Sequence, residues 1–111
     1  MQTETIDKDP VVEEFGARVR RALGRKLVAI FWFGSRARGE GRDDSDYDFL
    51  VATHAPIDIA DRHAVSDISV GLTGKHRKVL DVHYADEARL DGRRNLLSPF
   101  RVQVLAEGVR L

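Results

Sequence analysis

The stretch Gly34-Ser35-Arg36-Ala37-Arg38-Gly39-Glu40-Gly41, followed closely by Asp46-Tyr47-Asp48, gathers residue types that handle phosphates and metal ions. Glycine lets a backbone approach a ligand closely, and a serine beside it adds a hydroxyl donor. Successive backbone N–H groups in such a turn can form a nest for phosphate oxygens. Arg36 and Arg38 can add charge to a triphosphate in bidentate geometry. Asp46 and Asp48 are one residue apart, so on a strand they share one face while Tyr47, Phe49 and Val51 share the other. Carboxylates held together repel one another and raise their own pKa values unless cations neutralise them. Magnesium bound by a few carboxylates and substrate phosphates is the usual remedy. Two such ions about 3.5–4 Å apart can activate an attacking oxygen and stabilise a leaving pyrophosphate. The same residues also admit a plain reading, as an inter-strand turn followed by solvent-facing acids.

Those side chains need a scaffold, and the flanking sequence supplies one. Leu27–Phe33 is apolar on both faces and reads as a central strand. A second strand covers about Tyr47–Thr53, and "KVLDVHYA", residues 78–85, is a third. Alternation in the third puts Leu80, Val82 and Tyr84 on an apolar face and Asp81 with His83 on the other. If strands two and three share a sheet in register, Asp46, Asp48 and Asp81 converge on its uncovered side. Aspartate is depleted in strands, so this gathering calls for an explanation. Asp9-Pro10 suits a helix N-cap and first helical position, and Val11, Val12, Phe15, Val19, Ala22 and Leu23 recur at helical spacing up to Gly24. After Pro56, a second helix carries Ile57, Ala60, Ala64, Ile68 and Leu72 and stops near Gly71 or Gly74. A short helix is expected at Asp86–Leu90. Ser98-Pro99 opens a last one, with Phe100, Val104 and Leu105 on one face and Gly108 closing it. Residues 1–8 read as a loose leader to a single domain spanning 1–111.

This order predicts an α/β (α+β) fold, a small mixed sheet with helices mainly on one face. Only strands two and three are far enough apart to pair in parallel. The connection between strands one and two is long for a hairpin, and long loops in compact domains tend to be functional.

Composition narrows the field. Apolar residues make up 42% of the 111 and charged residues 32%, as in an ordinary folded domain. Eighteen basic residues balance 18 acidic ones, against the basic field of a nucleic-acid binder. There is no cysteine, so disulfides and thiolate metal sites are excluded. The longest apolar run, Leu27 to Phe33, falls far short of the roughly 18–20 residues that span a bilayer. The polar, acid-bearing start is unlike a signal peptide, and the expected location is cytoplasmic. "GKHRK", residues 74–78, reads as a solvated basic turn, and Arg93-Arg94 likewise. The four histidines show no metal-ligand spacing, and His83 reads as a bystander. Trp32, Phe31 and Phe33 read as core rather than as an adenine platform.

Gly34-Ser35, ten intervening residues, then Asp46-Tyr47-Asp48 resembles the DNA polymerase β nucleotidyltransferase superfamily. The string "GSRARGEGRDDSDYDFLV" and the closing "RVQVLAEGVRL" resemble most its minimal nucleotidyltransferases, the MNT domains. The resemblance implies the polymerase β-like fold. It implies that Gly34 and Ser35 bind nucleotide phosphates, to which Arg36 and Arg38 can add charge, and that Asp46, Asp48 and Asp81 hold Mg2+, two ions, and carry the catalysis. Tyr47 departs from the aliphatic residue usual between the two aspartates, and Phe49 from leucine. Proteins of this size in the family are typically antitoxins partnered with a HEPN-domain ribonuclease toxin. The implied activity is transfer of AMP from ATP to a toxin tyrosine, within a hetero-oligomer and without direct nucleic-acid or membrane binding. Two alternatives stay open: neutralisation by docking alone, and transfer to a small hydroxylated acceptor.

Overall fold

The computed structural model describes residues 9–37, 39–41, 45–87 and 108–111. The leader, the helix expected from Ser98 and all of the short helix beyond Glu87 lie outside them. Helix α1 spans Pro10–Leu23. Asp9 caps it, its Oδ1 accepting from the N–H of Val11 at 3.0 Å and of Val12 at 3.3 Å, with Pro10 at the first helical position. The carboxylate satisfies amides that a helix start leaves unpaired, and Pro10 has none to satisfy. Gly24 ends the helix at φ 54°, and a single 3-10 turn, Gly24–Lys26, leads into the sheet.

Strands β1 (Leu27–Phe33) and β2 (Tyr47–Thr53) pair antiparallel, and β3 (Leu80–Asp86) joins β2 in parallel. A two-residue β4, Val109–Arg110, runs antiparallel to β1, giving the order β3-β2-β1-β4. This strand lies just past Gly108, where the last helix is expected to close, and is too short to show as a pattern in the sequence; the Leu111 N–H extends it with a bond to the Ile30 carbonyl, 2.8 Å. Asp86 belongs to β3 and pairs with Thr53 instead of opening a helix.

Helix α2, Ile59–His76, makes the crossover between β2 and β3. Asp58 caps it, accepting from the Asp61 N–H at 2.8 Å. It does not stop at Gly71 or Gly74: its buried stripe reaches Leu72, and its last turn is held by Glu14 of α1, which accepts from Lys75 Nζ at 3.0 Å and lies 3.2 Å from His76 Nε2. Much of the basic turn is therefore helix. The stop comes at Arg77, in the left-handed region at φ 56°, ψ 41°, its N–H bonded to the Thr73 carbonyl.

Both helices cover one face of the sheet. Ile30, Trp32, Tyr47, Phe49 and Val51 pack there against Val12, Phe15, Val19, Val65 and Leu72. The Phe15 and Phe49 rings stack at 4.1 Å. The opposite face carries Asp48, Asp81 and His83, but it is not bare: Phe33 and Leu50 alternate onto it and are buried with Phe31 and Ala85 beside them. No helix among the described residues is long and apolar enough to cross a membrane.

Arg77 holds a conformation that costs a side-chain-bearing residue about 1–2 kcal/mol and glycine little. Arg77→Gly, which keeps the capping N–H, should therefore raise unfolding free energy by about 0.5–1 kcal/mol in urea titrations. An unchanged or lower value would contradict this cap geometry.

Candidate active site

The geometry of the site follows from register. In the parallel β2–β3 pair Asp48 stands opposite Asp81, and the next same-face row sets Leu50 opposite His83. On the other side of β2, Phe33 of β1 pairs with Asp48. Asp48, Asp81 and His83 each offer a ligand atom, all within 4.8 Å of one another. His83 Nε2 lies 3.3 Å from Asp81 Oδ2, and its ring meets that of Phe33 at 5.8 Å between centroids.

Of the three aspartates expected to converge, the structure therefore pairs Asp48 with Asp81. Asp46 precedes β2 and is exposed; it stands outside the tight group, though its charge is felt at Asp48. The third member of that group is His83. Strand alternation had already placed His83 on the face of Asp81; what the sequence did not supply was its proximity to Asp48 across the pair. The Asp48 carboxyl is pushed up from its ordinary value, first by burial, then by the charges of Asp81 and Asp46, with His83 opposing. Such a donor set, two carboxylates and an imidazole with repulsion unrelieved, suits a divalent cation.

Gly34 ends β1 at φ 86° and lies directly against this group. A Cβ there would drive into Asp48 Oδ2 and sit 3.2 Å from its Cγ. The space that holds the Asp48 carboxylate exists because residue 34 has no side chain. Beyond it the chain folds on itself: the Ser35 carbonyl accepts from the Glu40 N–H at 2.9 Å and that of Arg36 from Gly39 at 3.1 Å. Gly41 packs so closely that a Cβ would come within 2.9 Å of the Arg36 Cα.

Arg36 is engaged in bracing this loop. Its Nε donates to the Ser45 carbonyl at 2.7 Å, its Nη1 to the Tyr47 hydroxyl at 3.3 Å, and its guanidinium lies 4.4 Å over the Tyr47 ring. The Tyr47 hydroxyl in turn donates to Asp9 Oδ2 at 2.9 Å. The residue that departs from the aliphatic pattern, the first of β2, thus joins the α1 cap to the loop. Burial and the Asp9 carboxylate push the Tyr47 phenol up to about 12, so it stays a neutral donor. Arg38 lies outside the described residues.

Gly34→Ala should cost about 1–2 kcal/mol from backbone strain alone. Because Asp48 must also swing away, divalent-cation affinity should fall more than that loss of stability accounts for; calorimetry beside thermal melts measures both. A raised Asp48 pKa means that the folded chain holds this proton more tightly than the unfolded chain, so the ionised carboxylate opposes folding as pH rises. Without metal, Asp48→Asn should melt a few degrees above wild type at pH 7, and the gain should shrink toward about pH 4, where the unfolded carboxyl also takes up its proton. A gain independent of pH would contradict the electrostatic cause.

The polymerase β nucleotidyltransferase family model matches residues 22–98. No curated protein matches the chain. A protein provisionally named a minimal nucleotidyltransferase is 32% identical, over 89% of this chain and 94% of its own, with a TM-score of 0.54. A toxin–antitoxin crystal structure with AMP-PNP has a chain 21% identical, covering 88% of this one and 70% of that one, TM-score 0.59. A complex of a tri-AMPylated Shewanella oneidensis HEPN toxin with an MNT antitoxin gives 19% identity over 99% of this chain and 71% of that one, TM-score 0.51. With the family model spanning well over half its length, this chain belongs to the polymerase β nucleotidyltransferase family.

Proposed function

We propose that this chain is an antitoxin that transfers AMP from ATP to a tyrosine of a HEPN ribonuclease toxin and thereby neutralises it. The observation that carries the reading is the in-register Asp48–Asp81 pair set against Gly34. Its support from likeness is that similar folds occur in toxin–antitoxin complexes, one with AMP-PNP and one with an AMPylated HEPN toxin. A formal net charge of zero suits a protein acceptor better than a polynucleotide.

In this reading the Gly34-Ser35 turn receives the triphosphate, with Arg38 as a further phosphate contact and Arg36 keeping the loop closed. Asp46, Asp48 and Asp81 would hold Mg2+, whose chemistry is to neutralise the phosphates and favour departure of pyrophosphate. Asp81 lies exposed on β3, an edge strand among the described residues, and in this reading the incoming hydroxyl meets it there. The tyrosine oxygen forms a bond to the α-phosphorus as the bond from that phosphorus to the bridging oxygen breaks. Pyrophosphate leaves with the electron pair, and the phenolic proton passes to the Asp81 carboxylate. A phenol with an ordinary pKa of about 10 is a poor nucleophile at neutral pH, so this proton transfer matters. The rest is positioning and charge neutralisation.

Incubation with the cognate toxin, ATP and Mg2+, followed by intact mass of the toxin, tests the reading. Wild type should add AMP to the toxin, while Asp81→Ala should bind the toxin and transfer about 100-fold more slowly or worse. Neutralisation without added mass, with Asp48→Asn protecting cells as well as wild type, would establish docking alone in its place.

A further inference from the structure

In the reading above three carboxylates would hold Mg2+ without any help from His83, yet the structure sets His83 inside the ligand group and leaves Asp46 outside it. We infer that His83 is a ligand of the metal site, and that its nitrogen makes the site favour a first-row transition cation such as Mn2+ over Mg2+. This rests on the active site proposed above.

Geometry carries the inference. Cis ligands of an octahedral ion with bonds of about 2.1 Å lie about 3.0 Å apart. His83 Nε2 and Asp81 Oδ2 are already 3.3 Å apart, and the whole group falls within 4.8 Å, a spread that small side-chain rotations close. The donors stand on two adjacent, hydrogen-bonded strands, Asp48 on β2 and Asp81 with His83 on β3, so their Cα positions are fixed by the ladder. The Phe33 ring lies against the imidazole and limits where it can turn. Gly34 keeps free the space around Asp48 that a Cβ would fill. An imidazole so placed changes the kind of ion the site takes. Magnesium is a hard cation that prefers oxygen and gives up water reluctantly. Affinity for such mixed nitrogen and oxygen sites rises along the first row from Mn2+, which still suits carboxylate and phosphate oxygens, to the later metals that imidazole suits best.

The direct test is Mn2+ binding by the full chain without nucleotide, followed by loss of the free-ion EPR signal, with Mg2+ as competitor. Pulsed EPR on the bound ion reports 14N coupling from a ligated imidazole. Wild type should show that coupling and bind Mn2+ roughly tenfold or more tightly than Mg2+. His83→Ala and His83→Gln should both lose the coupling and most of the preference, with Mg2+ affinity nearly unchanged; thermal melts of the two variants establish that they fold. Absence of 14N coupling in wild type, or an unaltered Mn2+/Mg2+ ratio in both folded variants, overturns the inference while leaving the nucleotidyltransferase reading intact. Mn2+ binding undiminished in Asp48→Asn would instead remove the site on which both stand.

Discussion

Asp48 and Asp81 face each other across a parallel strand pair, and like charges directly opposite are destabilising. The rest of the domain is arranged so that this repulsion is tolerated. One face of β2 is mostly apolar, with Tyr47, Phe49 and Val51 buried under both helices. Because side chains alternate strictly, a slip of one residue would exchange Phe49 for Asp48 in the core. Register is thus enforced from the helix side, and the carboxylates have no freedom to separate along the strands. A cation is the natural relief.

The second constraint is the long connection from β1 to β2. It begins at Gly34, where a left-handed backbone and a missing Cβ bring the chain against the Asp48 carboxylate. It is closed by Arg36, which reaches the Ser45 carbonyl near its far end and the Tyr47 ring at the head of β2. Asp9 serves two purposes here, capping α1 and accepting from Tyr47. A change in the α1 cap is therefore felt at the loop. In this chain Tyr47 replaces simple packing with a hydrogen-bonded link between helix and site.

Much of this was legible in the sequence because the signals are local. β1, β2 and the Asp9-Pro10 start of α1 follow from apolar runs, capping chemistry and Gly24. Alternation correctly sorted Asp81 and His83 from Leu80 and Val82. What local signals cannot supply is which residue faces which across a crossover, and so the Asp48–Asp81–His83 grouping, with Asp46 outside it, appeared only in three dimensions. The end of α2 is hidden from the sequence for a related reason. Gly71 and Gly74 look like stops, but burial of Leu72 and the hold of Glu14 on the last turn outweigh glycine's low helix propensity. The contacts of Arg36 with Ser45 and Tyr47 were hidden likewise, since only the fold brings those partners near.

The central claim is that strand register and the Gly34 turn together build a site for a metal-bound nucleotide. Calorimetric titration of the full chain with AMP-PNP, with and without a divalent cation, tests it most directly. The account predicts saturable binding that requires the cation and is lost in the Asp48→Asn/Asp81→Asn double variant, which still folds. Equal binding without cation, or undiminished binding by the double variant, would contradict it.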